Sequence, residues 1–192
     1  MNAEFLSGDR ALLLSIAKRS LEHGLAHGTH LTVSPDDYPP ALQSQRATFV
    51  TLKMQGELRG CIGGLEPQWP LVEDVARHAF AAGFHDPRFP PLSKTECQSV
   101  ALHIAVLSPR KPLDFSDEAE LIASLRPGID GLVIARGSRR ATFLPAVWES
   151  LRDPAQFLAE LKRKAGIPPA SAPERAEIYH TESFGDDPVH PG

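Results

Sequence analysis

Leu58-Arg59-Gly60-Cys61-Ile62-Gly63 decides how this chain is read. The six residues set a thiol, a guanidinium and two glycines inside a run that is otherwise apolar. Upstream, Ala47-Thr48-Phe49-Val50-Thr51-Leu52 has the β-branched and aromatic content of a strand, and Gln55-Gly56 supplies a tight turn between the two runs. The spacing predicts a hairpin whose second strand is 57–63. Strand side chains alternate, so Leu58, Gly60 and Ile62 are expected on a core face and Glu57, Arg59 and Cys61 on the other. A cation two residues from a thiol on one face favours the thiolate, which makes Cys61 a candidate nucleophile and Arg59 its activator or an anion-binding group. The competing reading is that Cys61 is a small core residue. Gly60 and Gly63 weigh against it, since glycine in a strand marks a place where a ligand or another backbone approaches closely.

Working outward, 192 residues with 42% hydrophobic content fill one full domain or two small subdomains. Net charge is -4, and the basic residues are scattered, so the balance argues against a nucleic-acid partner. No apolar run is long enough to span a bilayer and no signal peptide is evident, so no membrane partner is expected and a cytoplasmic location is. Cys61 and Cys97 are then read as reduced. His23, His27 and His30 suggest a metal, but Gly24 and Gly28 are expected to interrupt the helix carrying them, and no fourth ligand follows from spacing; no metal and no cofactor are expected. No P-loop, G-x-G-x-x-G or H-E-x-x-H pattern occurs.

Helical spacing of Leu12, Leu13, Ile16, Ala17 and Leu21 predicts an N-terminal amphipathic helix. A second follows Trp69-Pro70, with Leu71, Val72, Val75, Ala76, Ala79 and Phe80 on one stripe and Gly83 as its stop. The run 100–107 reads as a central strand that ends at Ser108-Pro109. Beyond Pro112 come a short helix with Leu121, Ile122 and Leu125, a hairpin of 131–136 and 140–144, and a helix from Asp153-Pro154 to Gly166. Residues 177–184 read as one last strand, and Val189-His190-Pro191-Gly192 as a loose tail. A second unit is expected to begin near Pro112.

His85-Asp86-Pro87-Arg88-Phe89-Pro90-Pro91 is the second candidate stretch: it puts an imidazole, a carboxylate and a guanidinium in a proline-stiffened loop. Asp86 is read as orienting Arg88 or holding a substrate donor, and His85 as a base for Cys61 if the fold joins them. The plainer alternative is an Asp-Pro turn with a surface ion pair. His103 lies on the less apolar face of its strand, either at the same site or as a satisfied core histidine.

The blocks Phe49-Val50-Thr51-Leu52, Leu58-Arg59-Gly60-Cys61-Ile62-Gly63, Asp86-Pro87-Arg88-Phe89-Pro90-Pro91-Leu92, Val106-Leu107-Ser108-Pro109, Gly131-Leu132-Val133, Ala141-Thr142-Phe143-Leu144-Pro145, Val147-Trp148 and Lys164-Ala165-Gly166 occur in an order that resembles the AMMECR family. Its bacterial and archaeal members are called AmmeMemoRadiSam system protein A. The resemblance runs over 11–184. It implies an α+β fold of two subdomains, a larger one made from both chain ends, 1–110 plus 167–192, and a smaller one of 111–166, each with a small, mainly antiparallel sheet and flanking helices, and a cleft between them walled by the hexapeptide strand. On that basis Arg59, Gly60, Gly63, Asp86, Arg88, Phe89 and Thr142 are candidate substrate-binding residues. It further implies a pathway shared with Memo-like and radical SAM proteins. Relatives often carry an acidic residue at the position of His103 and serine at that of Ala105. Two functions follow as expectations: a thiol-dependent enzyme acting on a protein or other sizeable substrate, or a non-catalytic binding or adaptor protein.

Overall fold

The computed structural model describes residues 5–186, so the predicted loose tail lies outside the described residues. In chain order the elements are α1 (Ser7–His27), α2 (Pro40–Gln43), β1 (Thr48–Met54), β2 (Glu57–Gly63), α3 (Leu71–Phe84), α4 (Lys94–Cys97), β3 (Ala101–Leu107), β4 (Lys111–Leu113), α5 (Glu118–Ser124), β5 (Gly131–Arg136), β6 (Arg139–Phe143), α6 (Pro154–Ala165), β7 (Arg175–Tyr179) and β8 (Thr181–Gly185). The strands form two four-stranded sheets, ordered β2-β1-β3-β8 and β4-β7-β5-β6. The described residues divide into two compact units, one of 5–107 and 182–186, the other of 108–181. No helix among the described residues is long and apolar enough to cross a membrane.

In the first unit β1 pairs antiparallel with both β2 and β3. Gln55 and Gly56 both take positive φ, 53° and 84°, which is the two-residue turn that the right-handed twist of a hairpin favours. Val50, Leu52, Leu102, Ile104 and Val106 face the helices and share one buried core with Leu13, Ile16, Leu21, Leu71, Val72 and Val75. α1 continues through Gly24 instead of breaking there, and α3 through Gly83. The reason is helix contact: a Cβ at Gly24 would stand 2.5 Å from the Phe84 ring, and one at Gly83 would stand 2.7 Å from Leu21. Both glycines let α1 and α3 approach closely. α1 ends at Gly28, in the left-handed conformation typical of a helix stop.

In the second unit β5 pairs antiparallel with β6 and β7, and β4 with β7. Leu132, Ile134 and Ala176 pack with Leu121, Phe157, Leu158 and Leu161 of α5 and α6. α6 is the helix its sequence predicts: the Asp153 side chain accepts from the Gln156 N–H at 2.8 Å, and Gly166 at φ 73° closes it. Trp148 stacks on Phe157 at 3.7 Å, and its indole N–H donates to the Asp130 carbonyl at 2.7 Å.

Two expectations change. Residues 177–184 are not one strand: β7 belongs to the second sheet and β8 to the first, with the chain crossing at His180. Because β7 lies between β4 and β5, the second unit reaches residue 181 instead of ending at 166. Alternation in β2 is also interrupted. Leu52 opposes Gly60 and Lys53 opposes Leu58, so Arg59 is the extra residue of a β-bulge. Beyond the bulge the faces exchange: Leu58 shares the Cys61 face and is 42% exposed, while Arg59 is buried.

Candidate functional site

The fold joins the two stretches singled out in the sequence. The loop after α3 lies along the outer edge of β2, at the sheet margin, and closes it with side chains. Asp86 Oδ2 accepts the Cys61 N–H at 2.9 Å, and Arg88 Nη2 donates to the Cys61 carbonyl at 3.3 Å. Arg88 also grips Asp86 through Nε at 3.0 Å and Nη2 at 2.7 Å. Those hydrogen bonds hold the buried Asp86 carboxyl far below the usual carboxylate range, outweighing the desolvation that would raise it. A carboxylate and a guanidinium thus complete the hydrogen bonding of an edge-strand residue as a neighbouring strand would.

Arg59 runs into the same loop. Its Nε and Nη2 donate to Glu96 at 2.8 and 3.3 Å, and Nη2 also donates to the Pro90 carbonyl at 2.9 Å. This pairing, with Ser93 capping α4, pulls Glu96 down to about 2. Arg59 Nη1 is buried and has no hydrogen-bond partner among the described residues. Phe89 lies between the two cations, 5.7 Å from the Arg59 guanidinium carbon and 5.5 Å from that of Arg88. Arg59 is therefore committed to the loop, and the cation beside Cys61 is Arg88, 53% of whose side chain is exposed.

The two hexapeptide glycines have backbone explanations. A Cβ on Gly60 would stand 2.2 Å from the Ala82 carbonyl oxygen of α3, and one on Gly63 would stand 2.3 Å from that of Thr48. Of the alternatives for a strand glycine, close approach of another backbone accounts for both.

Cys61 is half-buried, and its sulfur accepts a hydrogen bond from the Thr51 hydroxyl at 3.3 Å. Both Cys61 and Cys97 are free thiols; burial raises the Cys97 thiol. Among the described residues no hydrogen bond joins Cys61 to His85, whose ring lies edge-on to Phe80 at 4.9 Å. His103 pairs with Thr51, which pairs with Cys61, so the three residues form one row on the sheet face turned away from the helices. The His103 ring leans the other way, toward Gly185, where an added Cβ would meet it at 2.7 Å. Thr142 belongs to the second unit, its hydroxyl bonded to the Leu132 carbonyl and shared with Tyr179. Tyr179 covers Gly131, and burial pushes its hydroxyl up to about 12.

Three features escaped the sequence reading. In the first unit the buried Asp74 accepts from Thr48 Oγ1 at 2.6 Å and meets His78 Nδ1 at 3.0 Å. The readable signal is an Asp and a His four apart on α3, with Asp74 interrupting the apolar stripe. In the second unit the fully buried Asp130 is gripped by Arg126 at 2.7 and 3.1 Å and touched by His180 at 3.1 Å. Burial would raise that carboxyl, but the bonds to Arg126 and His180 outweigh it. The second unit also carries a cavity of about 550 Å³ lined by Val133, Ala135 and the Arg110, Arg140 and Glu177 side chains. Both arginines lie near Glu177, at 3.8 and 3.6 Å. No group of three or more His, Cys, Asp or Glu able to hold a metal ion occurs among the described residues, although α1 keeps His23 and His27 on one face with rings 4.4 Å apart.

Residues 14–184 match the AMMECR1 family model. A Methanothermobacter thermautotrophicus protein is 39% identical over 179 residues, covering 88% of this chain and 93% of its own. Protein MJ0810 of Methanocaldococcus jannaschii is 36% identical, covering 81% and 80%. The crystal structure of the uncharacterized protein PH0010 from Pyrococcus horikoshii superimposes with a TM-score of 0.77 at 31% identity, covering 91% of this chain and 90% of its own. A hexapeptide strand sealed by an Asp-Pro-Arg-Phe loop, carried on this α+β framework, thus comes with a match along nearly the whole length: the chain belongs to the AMMECR1 family.

Proposed function

We propose that the first unit is a binding domain that recognises a partner protein on the sheet face around Cys61, with Cys61 a contact and packing residue. One observation carries this reading. The groups that would form a thiol catalytic centre are placed otherwise: Arg59 is held by Glu96 and Pro90, Asp86 accepts the Cys61 N–H, and among the described residues the exposed His85 has no hydrogen bond to Cys61 and sets its ring against Phe80. What remains at the surface is a mixed face of half-buried Phe49, Thr51, Cys61, His103 and Ala105, flanked by the exposed Leu58 and Arg88. Aromatic, apolar and arginine groups on a rigid strand are the composition of an interface core. Because the edge of β2 is closed at Cys61, the partner engages the face and does not add a strand there.

A Memo-like protein, the partner suggested by the family resemblance, is the bait for the test. Titration calorimetry should find Cys61→Ser binding within about twofold of the unaltered chain, and Arg88→Ala weaker by about tenfold or more, the loss of one interface arginine anchor. Loss of binding in Cys61→Ser with full binding in Arg88→Ala contradicts the proposal. A second reading, a thiol-dependent enzyme acting on a protein or peptide, draws support from the Arg88 charge beside Cys61 and from the Thr51 hydrogen bond to its sulfur. Alkylation kinetics separate the two.

A further inference from the structure

The Asp74–His78 pair is unused by the binding reading and lies where β1 begins and β2 has just ended. Asp74 is 1% exposed, and its Oδ2 accepts from Thr48 Oγ1 at 2.6 Å. The same oxygen lies 3.0 Å from His78 Nδ1, with Thr48 Oγ1 at 3.2 Å from that nitrogen. Thr48 has one proton and gives it to Asp74. Two groups thus converge on one carboxylate oxygen, and the tautomer with its hydrogen on Nδ1 is the one that lets the ring donate to it. In the neutral ring Nε2 is then a bare acceptor, and a proton arriving there produces an imidazolium facing a buried carboxylate.

The residue beside the Nε2 edge of the ring is a glycine. A Cβ at Gly64 would stand 4.0 Å from Nε2 and 3.8 Å from Cε1, so any larger side chain there would extend over the ring. Among the described residues Nε2 has no hydrogen-bond partner, and the side chain keeps 13% of its surface. Trp69 stands edge-on at 6.4 Å and supplies an apolar wall, with the Arg77 guanidinium 4.7 Å from its ring. Arg77 is itself neutralised by Glu73 at 2.7 Å, so the buried charge that faces the imidazole is that of Asp74.

We infer that Asp74 and His78 form an acid–base site in which His78 Nε2 accepts a proton from a hydroxyl or a protonated amine of a ligand seated between Gly64 and Trp69. The proton passes to Nε2, the electron pair stays on the ligand oxygen or nitrogen, and Asp74 stabilises the imidazolium. Thr48 is a positioning residue that fixes the Asp74 carboxylate.

The test uses the full chain and diethyl pyrocarbonate, which modifies unprotonated imidazole nitrogen. Nitrogen NMR of the histidine-labelled protein first reads the tautomer of His78, assigned by its loss in His78→Gln. The expected result is the Nδ1–H tautomer, with modification of His78 about tenfold faster in the folded than in the urea-denatured chain. Asp74→Asn should abolish that advantage, and Gly64→Leu should block it while leaving the tautomer unchanged, which a merely structural Asp–His contact would not do. An Nε2–H tautomer in the unaltered protein overturns the inference even if Asp74→Asn fails to fold. So does a folded-state rate no higher than the denatured one, or a Gly64→Leu chain that reacts undiminished.

Discussion

The two sheets face the same structural problems and answer them with different groups. Each has a glycine under another element: Gly60 lies beneath the Ala82 carbonyl of α3, and Gly131 beneath the ring of Tyr179. Each has an edge strand whose backbone is met by a charged side chain. On β2 the buried Asp86 and the guanidinium of Arg88 take both the N–H and the C=O of Cys61, whereas on β6 the Lys164 ammonium alone reaches the Thr142 carbonyl, at 3.0 Å. The second sheet's devices are the ordinary ones of a small domain. Those of the first are more numerous, and they consume nearly every polar group of the hexapeptide. A motif rich in reactive side chain types is therefore explained first by architecture, and function is to be sought on the face it leaves open.

The largest expected effect sharpens the contrast between the glycines. Gly60→Ala meets a helix backbone that cannot swing aside and should cost about 3 kcal/mol or more, while Gly131→Ala meets a side chain ring and should cost about 2 kcal/mol. Urea unfolding of both variants measures the difference, and equal costs would break the comparison. Next, Asp86→Ala strips the acceptor from the Cys61 N–H and should lower stability by about 2 kcal/mol. Acid titration follows. Glu96 is depressed to about 2 in the folded chain, so its contribution is present above the ordinary glutamate range and fades as pH falls toward about 2. Glu96→Gln should flatten that acid limb in a thermal unfolding series. Smallest is Lys164→Ala, which removes an exposed contact and should change stability by no more than about 0.5 kcal/mol.

Much of the fold was legible because local rules and packing agree. The Gln55-Gly56 turn, the Asp153 cap and the Gly166 stop each follow from one residue's conformational preference. The split of 177–184 was not legible, since 177–179 and 181–184 both read as strand and only tertiary pairing sends them to different sheets. The bulge at Arg59 was hidden for a similar reason: alternation assumes an unbroken ladder, and one extra residue moved Leu58 to the Cys61 face. For the site, spacing selected both stretches that the fold joins, but not what each group holds. Arg59 stood nearest Cys61 in sequence, yet Arg88, 27 residues on, is the cation beside it. Asp74 and His78 were missed because a helix stripe was read for its apolar members and its one buried acid passed over.

The proposed binding role makes Cys61 part of a structural and contact surface and gives it no nucleophilic work. Its most direct test is the rate of Cys61 alkylation by iodoacetamide in the folded chain at neutral pH, set against the same thiol in urea. The folded rate should be equal to or below the unfolded one, with Arg88→Ala leaving it unchanged. A folded rate about tenfold or more above the unfolded one, lost in Arg88→Ala, would show a thiolate activated by the loop and contradict a purely structural and binding role for Cys61.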